Sequence, residues 1–292
     1  MSMHLNLFGI SEQTVGTPVI NVASVPQRSP FRYPGGKTWL IPIVRQWLRQ
    51  ERKQVTELIE PFAGGGIVSL TAAFENLAAN IMMVEKDEEV AAVWEVILNG
   101  QNNWLADKIF SYNLTMDNIK AELEKPEKQI ADIAFCTILK NRIFHGGILA
   151  KGSGMIKNGE NGKGISSRWY PKTLRDRIMA IEHVKGKINF IRGDAFDILS
   201  ENLNNGKAYF FIDPPYTIAG KRLYTHSDID HERLFELVSQ LRGKYMLTYD
   251  NTCEIRQLAD KYHLCYRTIP MKTTHHLEKK EMIISDNFLW WT

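Results

Sequence analysis

Short apolar runs alternate with longer amphipathic stretches along most of this chain. The run Tyr-Phe-Phe-Ile at 209–212 contains only large apolar residues, which predicts a strand buried on both faces of a parallel sheet. Two prolines end the run, because proline fixes φ and offers no N–H to a sheet ladder. Other runs predict strands at 56–60, 81–85, 187–191, 244–249, 265–269 and 281–285. The expected fold is α/β, with a sheet of about seven strands.

Helical patterns separate most of these strands, but the alternation stops between residues 100 and 185. Helices are predicted at 39–48, 67–79, 88–98, 104–112, 116–124, 130–144, 171–183 and 231–241. We therefore expect a mostly helical lobe at 100–185, inserted into an α/β domain that is formed by 31–99 and 186–292. Residues 1–30 are predicted to form an irregular N-terminal arm.

Basic residues concentrate near the end of this predicted lobe, although the whole chain has a formal charge of only +3. The stretch 140–172 contains seven glycines, one acid and seven basic residues: Lys140, Arg142, Lys151, Lys157, Lys163, Arg168 and Lys172. A flexible basic segment could follow a phosphate backbone, although a solvated surface loop can have the same composition.

Composition also bears on the compartment. No stretch contains the roughly 18 apolar residues that a membrane span needs, and residues 1–30 lack a secretory apolar core. The cysteines Cys136, Cys253 and Cys265 form no Cys-x-x-Cys pair, so neither a disulfide framework nor a zinc site is expected. These features predict a cytoplasmic protein that is not bound to a membrane.

The residues that follow the 209–212 strand are Asp213, Pro214, Pro215 and Tyr216. They would stand at the carboxyl end of a central strand, where open α/β sheets bind their ligands. A carboxylate and a carbonyl can accept the two N–H groups of an exocyclic amine, and an aromatic ring can stack on the base that carries it. The alternative is a tight turn after a buried strand.

Two glycine turns come earlier in the chain. Gly-Gly-Lys-Thr, which contains Lys37, is not a P-loop, because Phe31 stands where that motif needs a glycine. The turn can still present amides and a lysine to an anion. The second turn, from Gly64 to Gly66, follows the first predicted strand. Glu85 ends the next strand, where an acid can accept the hydroxyls of a ribose.

The order of these motifs resembles the Dam family of adenine-N6 DNA methyltransferases over roughly residues 30–286. Tyr-Pro-Gly-Gly-Lys at 33–37 is similar to the family's Trp-Ala-Gly-Gly-Lys, and Glu-Pro-Phe-Ala-Gly-Gly-Gly at 60–66 matches its methionine-binding turn. Gly-Asp at 193–194 and Leu-Thr-Tyr-Asp-Asn at 247–251 resemble two later elements, and Asp-Pro-Pro-Tyr resembles its signature. The resemblance implies a Rossmann-like, S-adenosylmethionine-dependent methyltransferase sheet with an inserted DNA-recognition lobe.

The resemblance also implies which residues surround the S-adenosylmethionine cofactor. They are Tyr33, Lys37, Glu60, Phe62, Gly64, Gly66, Glu85, Asp194 and Asp213. In this set Lys37 would meet the carboxylate, Glu85 the ribose hydroxyls and Asp194 the adenine amine. Local alternatives are a buried Glu60 that pairs within the protein, Phe62 as a core residue and Asp194 as a helix cap.

The implied reaction is an in-line attack by the target amine on the sulfonium methyl group. Asp213 and the Pro214 carbonyl would accept its N–H groups while Tyr216 stacks on the base, which must be flipped out of the duplex. Neither a metal nor a covalent nucleophile is needed. No cysteine of the chain follows a proline, so the chemistry of cytosine-C5 enzymes is excluded.

Double-stranded DNA is the implied partner, and the residues expected to contact it are Asn141, Arg142, Lys151, Lys157, Lys163 and Arg168. Members of the family that read GATC carry Asn-Gly-Leu-Cys-Arg where this chain has Gly-Gly-Ile-Leu-Ala at 146–150. The missing arginine removes a guanine contact worth roughly 1–3 kcal/mol of discrimination, so recognition of GATC is in doubt.

Other activities remain open at this point. A cytosine-N4 methyltransferase shares the site chemistry, and an RNA or protein-glutamine methyltransferase can carry a similar tetrad. A non-catalytic DNA-binding relative is a further alternative. A cognate restriction endonuclease is a candidate partner, and the expected assembly is a monomer or weak dimer.

Overall fold

The structure, a computed structural model, describes residues 25–32, 35–51, 53–126, 128–150, 152–159, 162–216, 228–272 and 278–291. Seven strands form one sheet: β1 (Val55–Glu60), β2 (Ala78–Glu85), β3 (Ile188–Arg192), β4 (Ala208–Ile212), β5 (Lys244–Asp250), β6 (Cys265–Lys272) and β7 (Glu278–Ser285). Their order is β3-β2-β1-β4-β5-β7-β6. Strands β1 to β5 pair in parallel, whereas β7 runs antiparallel to β5 and β6. This arrangement confirms the predicted Rossmann-like sheet.

Strand β4 occupies the middle of the sheet and is buried along its whole length. Tyr209 and Phe211 belong to the apolar core on one face, and Phe210 and Ile212 belong to the core on the other. Burying each such side chain contributes roughly 1.5–3 kcal/mol. The uninterrupted apolar run therefore marked a strand with two covered faces, as predicted.

Ten α-helices lie within the described ranges. They are α1 (Ile41–Leu48), α2 (Ile67–Phe74), α3 (Glu88–Leu98), α4 (Asn102–Ser111), α5 (Met116–Leu123), α6 (Ile130–Ile143), α7 (Pro171–Ile181), α8 (Ala195–Glu201), α9 (His231–Gln240) and α10 (Cys253–Lys261). None of them is long and apolar enough to cross a membrane.

Two differences from the sequence prediction have local causes. The helix expected at 67–79 ends at Phe74, because Asn76 adopts a left-handed conformation with φ 55° and β2 already begins at Ala78. Helices α8 and α10 were not predicted. They are short, and each begins at a polar cap: Asp194 accepts from the Phe196 amide, and Thr252 accepts from the Ile255 amide.

Helices α4 to α7 occupy the region where the strand alternation stops. Helix α6 packs against α3, and α4 packs against α7. Apolar residues of α4, α6 and α7 belong to the same core as α1 to α3 and one face of the sheet. The helical region is thus continuous with the α/β part through its core, and its role as a separate recognition lobe stays a prediction.

The strand order reverses beside β1, whose neighbours are β2 and β4. Chains that leave β1 and β4 go to opposite faces of such a sheet, which opens a crevice at the carboxyl ends of these strands. The residues that follow β1, β2, β3 and β4 meet there.

Candidate functional site

A cavity of about 930 Å³ opens at these carboxyl ends. Residues at or after the ends of four strands line it: Glu60 at the end of β1, Phe62, Gly64 and Gly66 after β1, Glu85 at the end of β2, Asp194 after β3, and Asp213 with Pro215 after β4. Lys37 lines it as well. The structure therefore brings most of the predicted cofactor residues into one space, whereas Tyr33 lies outside the described residues.

The glycine turn after β1 is hydrogen-bonded to a side chain of helix α3. The indole Nε1 of Trp94 donates to the Gly64 carbonyl at 2.9 Å. Gly66 has φ 63°, and a Cβ atom there would stand 2.7 Å from Met83 Cε and 2.8 Å from Trp94 Cζ2. Glycine is thus required at this position both by the backbone conformation and by the close approach of two side chains.

Glu60 is buried at the end of β1 and pairs with the first turns of α2. Its Oε2 accepts from the Ser69 amide at 2.9 Å and also from the Ser69 hydroxyl. Burial raises the pKa of Glu60 to about 8, against the opposing effect of the two Ser69 hydrogen bonds. The local alternative that the sequence left open is therefore present, although the residue also lines the cavity.

Glu85 joins the turns after β1 and β2. One carboxylate oxygen accepts from the Gly64 amide and the other from the Asp87 amide, both at 2.8 Å. The side chain is partly open to the cavity but otherwise surrounded by protein, and this desolvation raises the pKa of Glu85 to about 7. Because a carboxylate oxygen has two lone pairs, each oxygen can accept a further hydroxyl from the cavity side.

Asp194 caps helix α8, which is the alternative that the sequence left open. Its Oδ1 accepts from the Phe196 amide at 2.8 Å, and its Oδ2 pairs with Lys86 Nζ at 2.7 Å. Phe62 meets Phe196 edge to face, with ring centroids 6.5 Å apart. Phe62, Phe196 and Asp194 all line the cavity, so this part of its wall combines apolar rings with a carboxylate.

The end of β4 carries an ion pair. Asp213 Oδ1 lies 2.8 Å from Lys37 Nζ and accepts from Thr248 Oγ1 at 2.7 Å. Asp213 Oδ2 makes no hydrogen bond to any residue in the described ranges. One oxygen is therefore fixed by a lysine and a threonine, and the other remains an acceptor.

Lys37 is buried between two carboxylates. Its Nζ lies 3.7 Å from Glu281 Oε1 on β7, in addition to Asp213. Burial lowers the pKa of Lys37, but the two carboxylates outweigh it and hold the pKa above its ordinary value. Burial raises the pKa of Glu281, against the effect of the lysine. The lysine predicted to meet the cofactor carboxylate thus lies within the Asp213 cluster.

Tyr216 contacts both Glu281 and Lys37 of this cluster. Its hydroxyl donates to Glu281 Oε1 at 2.7 Å, and its ring lies 4.9 Å from Lys37 Nζ. The ring also stacks on Tyr249, with centroids 5.7 Å apart and an interplanar angle of 26°. Of the tetrad, Asp213 and Pro215 line the cavity, whereas Tyr216 packs behind it and Pro214 is buried.

Residues 29–32 form a bridging segment between the glycine turn and the helical region. The Ser29 hydroxyl donates to the Gly65 carbonyl at 2.5 Å. Farther along, Asn141 of α6 clamps the Arg32 backbone: its Oδ1 accepts from the Arg32 amide at 2.8 Å and its Nδ2 donates to the Arg32 carbonyl at 3.0 Å. The same Nδ2 donates to the Gly147 carbonyl at 2.8 Å.

This clamp bears on the predicted DNA contact of Asn141, whereas the predicted DNA contact of Arg142 stays a prediction. Asn141 is fully buried, so it has no exposed atom with which to contact DNA. Arg142 is buried too and donates to the Pro30 carbonyl, although it lines the cavity. Both residues hold residues 29–32 in place, a role that no local pattern announces because the partners are more than 100 positions away.

The other predicted DNA contacts are more exposed. Lys157 and Lys163 are exposed, Arg168 is half-buried on the cavity wall, and Lys151 lies outside the described residues. Their DNA-binding role stays a prediction. In the described ranges no three His, Cys, Asp or Glu side chains are grouped to hold a metal ion.

Sequence reasoning missed several residues of the site. Thr248 and Glu281 contact the β4 end, Trp94 supports the glycine turn, and Arg32 and Arg177 line the cavity. Thr248 stands within the 247–251 motif, which gave a usable signal. Glu281 gave none, because its position depends on the antiparallel pairing of β7 with β5.

Residues 33–86 match the family model of the D12 class N6 adenine-specific DNA methyltransferases. The matched stretch contains Lys37, the glycine turn and Glu85. It confirms the resemblance that the sequence motifs indicated, and it supports an S-adenosylmethionine-dependent methyltransferase.

No curated protein matches the chain. Among solved structures, the chain is similar to the rRNA methyltransferase aviRa from Streptomyces viridochromogenes, with 11% identity, a TM-score of 0.39, and coverage of 87% of this chain and 86% of that one. It is also similar to precorrin-6y C5,15-methyltransferase from Geobacter metallireducens, with 12% identity, a TM-score of 0.35, and coverage of 84% and 86%. The fold assignment rests on the strand order itself.

Proposed function

We propose that this chain transfers a methyl group from S-adenosylmethionine to N6 of adenine in double-stranded DNA. The observation that carries the proposal is the position of Asp213 and Pro215 after β4, in one cavity with the glycine turn and Glu85. The family match at 33–86 supports the same chemistry.

The residues on the β1 and β2 side of the cavity fit this cofactor. Glu85 is an acceptor for two ribose hydroxyls, because the Gly64 and Asp87 amides orient its two oxygens without using all their lone pairs. The glycine turn lets a ligand approach the backbone closely, and the Phe62–Phe196 pair offers an apolar side to a purine. When bound, S-adenosylmethionine supplies a methyl group that its sulfonium charge already activates.

The β4 end would receive the target amine. Asp213 Oδ2 would accept one of its N–H groups, and the Pro214 carbonyl is the second acceptor that the family resemblance implies, which would leave the nitrogen lone pair directed at the methyl donor. Positive charge develops on that nitrogen during attack, and a fixed carboxylate stabilises it. Lys37 and Thr248 hold the other oxygen of Asp213, so the acceptor is oriented before the substrate arrives.

The adenine would have to leave the duplex to reach this position. A volume of about 930 Å³ is at the upper end of the range for ligand pockets, which suits a cavity that receives both a cofactor and a flipped nucleotide. Exposed basic residues at Lys157 and Lys163 are expected to meet the phosphate backbone outside it.

Product analysis tests the proposal. The protein is incubated with unmethylated duplex DNA and methyl-labelled S-adenosylmethionine, the DNA is digested to nucleosides, and the label is identified by chromatography. We expect the label in N6-methyl-2′-deoxyadenosine. Label in N4-methylcytosine would favour the cytosine-N4 alternative. Absence of label from the DNA, when parallel incubations with RNA or protein substrates become labelled, would overturn the proposal.

A further inference from the structure

Four arginines line one side of the cavity. They come from four different parts of the chain: Arg32 from residues 29–32, Arg142 from α6, Arg168 from the 3-10 turn Gly164–Arg168, and Arg177 from α7. We call this group the arginine wall. It faces the same space as the β4 end and the glycine turn.

The backbone carbonyls that accept from Arg142 and Arg177 do not neutralise the charge of these two residues. Arg177 donates to the Ser29 carbonyl at 3.0 Å, and Arg142 donates to the Pro30 carbonyl. Both acceptors are uncharged. Within the described residues, Arg32, Arg142 and Arg177 form no ion pair with a carboxylate.

Such an arrangement is costly in the absence of an anion. Burial lowers the pKa of Arg142 to about 9, and the neighbouring charges of Arg177 and Arg32 act in the same direction. The Nε of Arg142 is buried and has no hydrogen-bond partner within the described part of the chain. A bound anion would compensate both the repulsion and the missing partner.

We propose that the arginine wall binds phosphate groups of the nucleic-acid strand that carries the target nucleotide. This proposal rests on the proposed function and names how the strand is held. Guanidinium groups suit phosphate because they can form two parallel hydrogen bonds to it. Several guanidiniums match successive phosphates of a strand better than they match one carboxylate.

An aromatic side chain at the same wall supports a nucleic-acid strand as the ligand. Tyr170 lines the cavity beside Arg168 and is 47% exposed. Arginines interleaved with an exposed aromatic ring are typical of surfaces that bind unpaired nucleotides, because the ring stacks on a base while the arginines follow the backbone. The wall would therefore hold the displaced nucleotide and its flanking phosphates.

The structure offers matched variants for the test. Arg32→Ala removes one guanidinium but keeps the clamp, because Asn141 bonds only to the Arg32 backbone. Arg177→Ala removes a second guanidinium, and Arg177→Lys keeps its charge. Arg175→Ala is the control on the same helix, since Arg175 pairs with Asp107 at 3.1 Å and does not line the cavity.

The experiment measures the affinity of each full-length variant for a fluorescent DNA duplex at several salt concentrations. We expect Arg32→Ala and Arg177→Ala each to weaken binding and to reduce the slope of log K against log salt by about 0.9 for each phosphate that the variant no longer neutralises. Arg177→Lys should retain most of the slope, and Arg175→Ala should leave it unchanged. Slopes of the wall variants equal to the wild-type slope would overturn the proposal.

Calorimetry with S-adenosylmethionine tests whether the arginine wall binds the cofactor carboxylate instead of the DNA strand. We expect Arg32→Ala to bind the cofactor as the wild type does. Loss of cofactor affinity with an unchanged DNA slope would assign the wall to the cofactor carboxylate and overturn the proposal. Because neither measurement needs methyl transfer, a changed slope without N6-methyladenine product would contradict only the proposed function. An unchanged slope with that product would contradict only the arginine wall.

Discussion

The two sides of the cavity hold their acidic residues in different ways. At the end of β4, Asp213 and Glu281 flank the ammonium group of Lys37 at 2.8 Å and 3.7 Å. At the ends of β1 and β2, the hydrogen bonds to Glu60 and Glu85 come from amides and a hydroxyl.

This difference has an electrostatic consequence. Uncharged donors do not offset the burial of Glu60 and Glu85, so the pKa values of these residues rise to about 8 and about 7. At the β4 end, the carboxylates instead raise the pKa of the buried lysine and keep it charged. The β4 side is therefore built around a charged lysine, although burial also raises the pKa of its neighbour Glu281, and the cofactor side is built around two carboxyls that titrate near neutral pH.

Replacing Lys37 tests most directly whether a cation stabilises the carboxylates at the β4 end. In Lys37→Met, two carboxylates share a buried space without a cation, and we expect the free energy of unfolding to fall by about 3–5 kcal/mol. Asp213 is partly open to the cavity, so the lower value is the better expectation. Urea denaturation measures the change.

The double variant Lys37→Met/Glu281→Gln is the control for that change. Glutamine keeps an acceptor for the Tyr216 hydroxyl but removes one negative charge. It should recover part of the stability that the single variant loses. A single variant as stable as the wild type would show that the lysine does not balance these charges.

Replacing Asp213 tests whether its carboxylate takes part in the reaction. We expect Asp213→Ala to reduce turnover by at least ~10²–10³, the usual effect of removing one transition-state partner. Lys37 keeps Glu281 as a partner, and the core of β4 is untouched, so the fold should survive. Single-turnover kinetics and a urea denaturation curve measure the two quantities. Near-wild-type turnover in a folded variant would remove Asp213 from the reaction.

The pH dependence of the free energy of unfolding tests the raised pKa of Glu60. Below its ordinary value of 4.5 this carboxyl is protonated in both states, and above about 8 it is ionised in both. Between these values the unfolded state is ionised while the folded state keeps its proton, so stability falls as pH rises, by up to about 1.4 kcal/mol per pH unit. Glu60→Gln should lack this contribution. The wild-type and variant stabilities, compared from pH 5 to 8, should therefore diverge, and parallel curves would contradict the raised pKa.

Glu85 should show the smallest effect, in cofactor affinity. Its ionised form is the stronger acceptor for hydroxyl groups, so affinity for S-adenosylmethionine should rise with pH and level off above about 7. Below about pH 7 we expect the affinity for S-adenosylmethionine to fall by less than tenfold per pH unit. In Glu85→Gln, which accepts hydroxyls without titrating, calorimetry should find weaker binding with a flatter pH profile. An equally steep profile in the variant would assign the titration to another group.

Much of the fold could be predicted because it follows from local patterns. The apolar run of β4 and the prolines after it fixed both the strand and the position of Asp213 at its end. The glycine turn and Glu85 were equally visible, because the turn follows one predicted strand and Glu85 ends the next. Boundaries were less certain, as the early end of α2 at Asn76 illustrates.

The unpredicted part of the site depends on contacts between distant residues. Glu281 reaches Lys37 only because β7 pairs antiparallel with β5. Asn141 was expected to contact DNA because the family resemblance implied it. Its side chain instead completes the hydrogen bonds of a backbone 109 positions earlier. A sequence pattern reports the type of a side chain, whereas its partner is decided by the packing of whole elements.

The bridging segment has a practical consequence for dividing this protein into fragments. The family match begins at residue 33, which invites a minimal catalytic fragment with that start. Such a fragment would lack the backbone that Asn141, Arg142 and Arg177 hold. It would also lose the Ser29 hydroxyl that fixes the Gly65 carbonyl. A useful minimal fragment must therefore begin before Ser29, because the residues that join the helical region to the glycine turn precede the matched stretch.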